Sequence, residues 1–183
     1  SIWDKIFNFD EIRVHSRRKE SRDPFAARLS ADLGKKVVAT EDWESCLKGA
    51  DIMVEASRLE EPTPLFKTSW IKKSAFVVPY GTMSAVEDDI LEPMDKIVVD
   101  DWGQCRPGTG KFGCLRRHVE SGKLSEKNLH GELCEVVADK KKGRENDRET
   151  ILFWHRGLSL SDIALGHAML EKAKKTGIGQ TLR

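Results

Sequence analysis

Apolar and polar positions along the chain switch between a two-residue and a helical period, and that switching lays out the elements. Ile12-Arg13-Val14-His15-Ser16 reads as a short strand. Residues 24–33 carry helical spacing (Phe25, Ala26, Leu29, Leu33) that stops at Gly34. Lys36-Val37-Val38-Ala39 predicts a second strand, residues 43–47 a short helix, and Asp51-Ile52-Met53-Val54-Glu55-Ala56 a run of buried-strand length. The pattern continues through Trp70, Phe76 to Val78, the acidic turn Glu87-Asp88-Asp89-Ile90-Leu91 and the run Lys96-Ile97-Val98-Val99-Asp100. Residues 139–149 are dense in charge and predict a solvated loop. Thr150 to Trp154 reads as a last strand. Ser159-Leu160-Ser161-Asp162 fits a capping box opening a helix with Ile163, Ala164, Leu170 and Ala173 on one stripe, ended by Gly177 and Gly179.

Short β-rich runs separated by helical segments imply an α/β fold with a mainly parallel sheet covered on both faces. Ligands of such sheets sit at the carboxyl ends of the strands. The residues just past each run are therefore candidates: Ser16, Ala56 and Ser57, Gly81 and Thr82, and Asp101. A chain of 183 residues makes one domain the prior, with residues 1–158 as the α/β body and 159–183 as a C-terminal helix.

Charge narrows the partners. Lys plus Arg (31) and Asp plus Glu (30) nearly cancel, so no global field draws the chain to nucleic acid or an anionic membrane, and a small neutral or zwitterionic ligand fits better. Apolar stretches such as Ala75-Phe76-Val77-Val78-Pro79 fall far short of the roughly 18 residues that span a bilayer. The opening Ser1-Ile2-Trp3-Asp4-Lys5 has neither the basic start nor the apolar core of a signal peptide, which predicts a cytoplasmic protein. Cys46, Cys105, Cys114 and Cys134 form no Cys-x-x-Cys pair or zinc-type spacing and are expected to be free thiols in a reducing compartment.

A dinucleotide fold opens with a strand, a Gly-x-Gly-x-x-Gly turn and a helix whose N–H groups hold the pyrophosphate. The expectation is that no such turn exists anywhere in the chain; residues 7–16 read as the end of a first helix feeding a second strand. The expectation is a fragment, or one piece of a split protein.

From there the order of segments resembles the ornithine cyclodeaminase and mu-crystallin family: Val14-His15-Ser16-Arg17-Arg18, Gly49-Ala50-Asp51-Ile52, then Gly131-Glu132-Leu133-Cys134-Glu135-Val136-Val137-Ala138 followed by Gly143-Arg144, and Thr150-Ile151-Leu152-Phe153 leading to Gly157 and Asp162. The resemblance implies a Rossmann-like, doubly wound nucleotide-binding domain over 1–158. It also implies that the helix of 159–183 joins an N-terminal segment in a second domain that binds substrate and pairs subunits into a homodimer.

It further implies a nicotinamide cofactor. At the end of the second strand an Asp would favour NAD, whereas Ser16 with Arg17 and Arg18 admits a 2′-phosphate, so NADP is expected over NAD. Read without the resemblance, Arg17, Arg18 and Lys19 are an exposed basic turn beside Glu20 and Asp23. Ala56, Ser57, Gly81 and Thr82 would line the cofactor's second half, with His155 and Gly157 near the nicotinamide, and Thr82 and Arg156 are the candidate catalytic residues. Two departures stand out. The loop after the strand ending at Tyr80 runs Gly81-Thr82-Met83-Ser84-Ala85-Val86-Glu87, without the Asp that serves proton transfer in active members, and His155 stands where the family often has Ser.

The implied reaction is hydride transfer on an amino acid or cyclic imine, as in an imine reductase or amino-acid dehydrogenase. The alternatives are a deaminating cyclase of the ornithine cyclodeaminase type, an NADPH-binding protein of the crystallin type with little turnover, and an α/β module whose cofactor site is vestigial.

Overall fold

The computed structural model describes residues 5–57, 59, 61, 63–81, 83, 85–105 and 115–180. Strand β1 (Ile12–Val14) leads to helix α1 (Lys19–Leu33), β2 (Val37–Ala39), α2 (Trp43–Leu47) and β3 (Ile52–Glu55). The chain continues through β4 (Phe76–Pro79), β5 (Lys96–Val99), α3 (Leu115–Glu120), β6 (Gly131–Glu132), α4 (Leu133–Val137), β7 (Ile151–Trp154) and α5 (Ser159–Thr176).

Helix α1 begins at Lys19, five residues ahead of the apolar spacing, because its first turn is polar and leaves no hydrophobic signal. Ser21 and Arg22 N–H groups donate to Arg18 O at 3.1 and 3.0 Å, and Lys19 pairs with Asp23 one turn on. The helix stops at Gly34, whose φ of +63° is the left-handed conformation glycine adopts at little cost. Asp42 opens α2 by accepting the Ser45 N–H at 2.7 Å.

All strand pairings are parallel. Five strands form one sheet in the order β3-β4-β7-β5-β6, and β1 pairs with β2 separately. The strand last in sequence occupies the centre: Ile151 and Leu152 pair with Phe76 and Val77 on one side, and residues 151–154 pair with 96–99 on the other. A single cluster built on Phe66, Met53, Val77, Val99, Leu152 and Trp154 forms the core. The α/β expectation holds. Every residue of β5, next to the central strand, is buried, whereas at the edge Val54 of β3 is 54% exposed.

Among the described residues β1 has no strand partner but β2, and β3 none but β4, so each presents one unpaired parallel edge. Arg13 of β1 donates to Ser45 O and Lys48 O at the end of α2, and Leu47 of α2 packs into the main core.

Helix α5 ends at Gly177 as predicted, but the expected capping box is absent. Leu158 is the N-cap, Ser159 lies inside the helix, and no side chain caps it. None of its residues is buried, and Ile163 and Met169 are 69% and 63% exposed, so the apolar stripe does not pack on the chain's own sheet. The charged loop of 139–149 is largely solvated yet tethered: buried Lys96 donates to Gly143 O at 2.7 Å and pairs with Glu145 and Glu149 at 2.6 and 3.0 Å.

Candidate nucleotide and active site

Parallel strands deliver their carboxyl ends to one edge, and the order β3-β4-β7-β5 sets Glu55, Tyr80, His155 and Asp100 there as successive neighbours. Backbone pairing runs one residue beyond the regular strands. Tyr80 N–H donates to Glu55 O at 2.6 Å, His155 N–H to Pro79 O at 3.2 Å and Gly81 N–H to His155 O at 3.0 Å. The rim is therefore as fixed as the sheet.

Asp100 follows β5 and is 2% exposed. Its Oδ2 accepts the backbone N–H groups of Arg156 and Gly157 at 2.7 and 2.6 Å, and its Oδ1 lies 2.9 Å from His155 Nδ1. One carboxylate thus shapes the whole turn after β7, which Gly157 completes at a φ of +104° that side chains rarely permit. An ionised carboxylate only accepts, so the proton of the neutral ring sits on Nδ1 and the lone pair on Nε2. No described residue bonds to Nε2. Tyr80 meets the imidazole edge-on at 4.8 Å between centroids, and Phe153 flanks it at 5.6 Å.

At the other end of the row, Glu55 is buried. Its Oε1 takes two donors from Ser57, while Oε2 has no partner among the described residues. Burial pushes this carboxyl above the ordinary glutamate range, with Ser57's hydrogen bonds opposing the rise. Between these ends Gly81, at φ +72°, offers its carbonyl to Trp154 Nε1 at 3.0 Å.

The residues singled out from sequence fall into three groups. Gly81, His155, Arg156 and Gly157 come together at the ends of β4 and β7, and Ala56 and Ser57 lie one strand away after β3. Ser16, Arg17 and Arg18 follow β1 on the separate strand pair; Arg17 and Arg18 are exposed, with no ion pair among the described residues. Thr82 lies outside the described residues. Asp101 is a correction: its Oδ1 accepts Gln104 N–H at 3.1 Å and stabilises the turn of 3-10 helix Trp102–Cys105, while the neighbouring Asp100 serves the rim. Asp100, Tyr80 and Glu55 were missed, although an acid closing an apolar run at the carboxyl end of a parallel strand is a readable signal.

The expected absence of a Gly-x-Gly-x-x-Gly pattern is corrected: the bare pattern occurs at Gly108-Thr109-Gly110-Lys111-Phe112-Gly113, after β5 rather than after a first strand, and lies outside the described residues. The Gly-Glu-Leu-x-Glu run is architectural. A side chain at Gly131 would come within 2.9 Å of Glu135 Oε2, which accepts the Glu132 N–H at 3.0 Å, and Glu132 Oε1 accepts Trp102 N–H at 2.5 Å. Burial, with Asp101 nearby, pushes the Cys105 thiol up to about 12 and keeps it protonated and unreactive. Among the described residues no cluster could hold a metal, and no helix is long and apolar enough to cross a membrane.

Comparison with known proteins matches this arrangement. The model of the ornithine cyclodeaminase/mu-crystallin family aligns with residues 1–177. The N-((2S)-2-amino-2-carboxyethyl)-L-glutamate dehydrogenase of Staphylococcus aureus is 30% identical over all of this chain and 53% of its own length. A Delta(1)-pyrroline-2-carboxylate reductase of Bacillus cereus is 25% identical over 97% of this chain and 54% of its own. The structure of Thermococcus litoralis Delta(1)-pyrroline-2-carboxylate reductase, in complex with NADH and L-proline, superimposes with a TM-score of 0.85 at 26% identity, over 99% of this chain and 56% of that one. The chain spans about half the length of the relatives it matches.

Proposed function

The chain belongs to the ornithine cyclodeaminase/mu-crystallin family, and from that membership we propose that it is the nucleotide-binding part of an oxidoreductase that interconverts an amino acid and an imine. The observation that carries this reading is the rigid rim from Glu55 to Asp100, at the sheet edge where α/β folds bind ligands, in a chain whose relatives are dehydrogenases and reductases of amino-acid-like compounds. The residues fit a nicotinamide nucleotide: the unpartnered Glu55 Oε2 is a ready acceptor for a hydroxyl or amide donor, and Gly81 and Gly157 leave the backbone approachable. That cofactor supplies or accepts the hydride.

In this reading Ala56, Ser57, Gly81 and Thr82 line the nucleotide, and His155 and Gly157 lie by the nicotinamide. Thr82 and Arg156 are the candidate catalytic residues, the guanidinium of Arg156 suiting a substrate carboxylate. Ser16 with Arg17 and Arg18 favours NADP, although the Thermococcus relative was seen with NADH. The unpaired edges of β1 and β3 and the uncovered stripe of α5 support a further segment completing the site, with 159–183 in a second domain that pairs subunits.

The test is a titration of the full chain with NADPH and with NADH, followed by nicotinamide emission, then an assay of cofactor oxidation with Delta(1)-pyrroline-2-carboxylate. Binding with imine-dependent oxidation supports the proposal. Binding without turnover favours a nucleotide-binding protein, and no binding of either nucleotide leaves a vestigial module.

A further inference from the structure

We infer that His155, oriented by Asp100, is the acid and base that exchanges a proton with the substrate nitrogen. The inference rests on the oxidoreductase reading above and adds to it a specific proton carrier.

Three features single out this imidazole. The first is orientation: Asp100, 2% exposed, holds Nδ1 at 2.9 Å while its other oxygen is committed to two backbone N–H groups, so the carboxylate cannot swing away. The second is the free nitrogen, since Nε2 has no partner among the described residues and the side chain is 35% exposed between Tyr80 and Phe153. The third is position, at the end of the central strand of the sheet, flanked on both sides by rim residues. The other titratable groups of the row suit the task less well. Glu55 is 1% exposed and faces Ser57, and the guanidinium of Arg156 has donors but no acceptor. Asp100 itself is sealed by its three donors.

The balance is complete. In the reducing direction the Nε2–H bond of the imidazolium breaks and the proton goes to the imine nitrogen. The C=N π bond opens as the hydride from the reduced nicotinamide reaches carbon, so the substrate is reduced and the cofactor oxidised. The neutral imidazole then regains its proton from water. In the oxidising direction Nε2 accepts the proton from the amine. Asp100 accepts from Nδ1 throughout and stabilises the imidazolium, as buried carboxylates paired with imidazoles do.

The test compares the full chain with H155Q and D100N, using Delta(1)-pyrroline-2-carboxylate and the better-bound nicotinamide cofactor. H155Q is expected to lose about 100-fold or more in kcat, the range general acid catalysis contributes, and to change the pH profile of the rate. D100N is expected to lower kcat while leaving the imidazole in place. Ring nitrogen NMR, with the His155 signal assigned by its absence in H155Q, gives a readout independent of turnover: Nδ1–H in the neutral wild-type ring, and a population of Nε2–H in D100N. Thermal melts of both variants identify any loss that comes from unfolding. If the wild type turns over and folded H155Q retains kcat within threefold with an unchanged pH profile, His155 is not the proton carrier. A wild-type ring protonated on Nε2 rejects the role given to Asp100. A wild type that binds neither cofactor nor imine overturns the oxidoreductase reading itself.

Discussion

Ser57 gives two hydrogen bonds to one oxygen of Glu55, from its backbone N–H at 2.7 Å and from its hydroxyl, while the second oxygen is buried without a partner among the described residues. Half of the carboxyl is therefore satisfied and half is not, and burial raises its proton affinity. A carboxyl whose folded value lies above its unfolded value binds more protons folded than unfolded. Its contribution to stability is present below the ordinary glutamate range and is lost as pH rises through the raised value. E55Q keeps an acceptor for Ser57 and removes the buried charge. Apo E55Q is expected to gain about 1 kcal/mol on the wild type at pH 8 relative to pH 5, measured by urea unfolding at both pH values. An equal difference at the two would show that Glu55 stays charged when folded.

Lys96 works in the opposite sense. Its ammonium is buried against Gly143 O, Glu145 and Glu149, and although burial alone would lower its proton affinity, the two carboxylates hold it above the lysine norm. K96M leaves Glu149 without its cation and is expected to lower stability in urea unfolding at pH 7. Two backbone N–H donors and Lys96 hold the Glu149 carboxyl below the usual range. Its contribution is therefore present above the unfolded value and lost as pH falls through the folded one, so the gap between K96M and wild type should narrow in acid.

Trp154 links core and rim, being 1% exposed with its indole N–H on Gly81 O at 3.0 Å. W154F keeps most of the apolar volume and removes the donor. The expected cost is about 1 to 2 kcal/mol, together with faster amide exchange at Gly81 and His155, whose backbones are paired. Unchanged exchange there would mean that the strand ladder alone fixes the rim.

In the proposed reading Arg17 and Arg18 favour NADPH. The double variant R17A/R18A is expected to weaken NADPH binding about tenfold or more, the loss of at least one charge-assisted bond, and to leave NADH binding within twofold. Equal loss for both nucleotides would assign the pair a general electrostatic role.

The elements with strong hydrophobic periods were legible in the chain. Strands β1 to β5 and β7, helix α2 and the end of α1 at Gly34 follow the apolar pattern closely. The two-residue β6 and the helix α4 carry too little pattern, because Gly131 and Glu132 are chosen for a close approach and a backbone bond rather than for burial. The strand order was illegible, since period says which face is buried and not which strand is next door. That hid the row from Glu55 to Asp100: the members are dozens of residues apart in sequence, and only the insertion of β7 between β4 and β5 makes them neighbours. His155 was visible as an oddity, but its partner depended on that insertion.

The same insertion dictates when the protein can fold during synthesis. Strands β3 and β4 emerge from the ribosome long before β7, and β5 and β6 also precede it, yet β4 and β5 share no native pairing and each waits for residues 151–154 to fill the position between them. Until then two apolar edges, 76–79 and 96–99, are exposed together on one nascent chain, and pairing them directly would close the sheet with its middle strand left out. Such contacts across long stretches of sequence form slowly. A ribosome stalled before residue 151 would therefore present two half-sheets rather than an immature version of the final one, and chaperone contact with the nascent chain should end only after β7 has emerged.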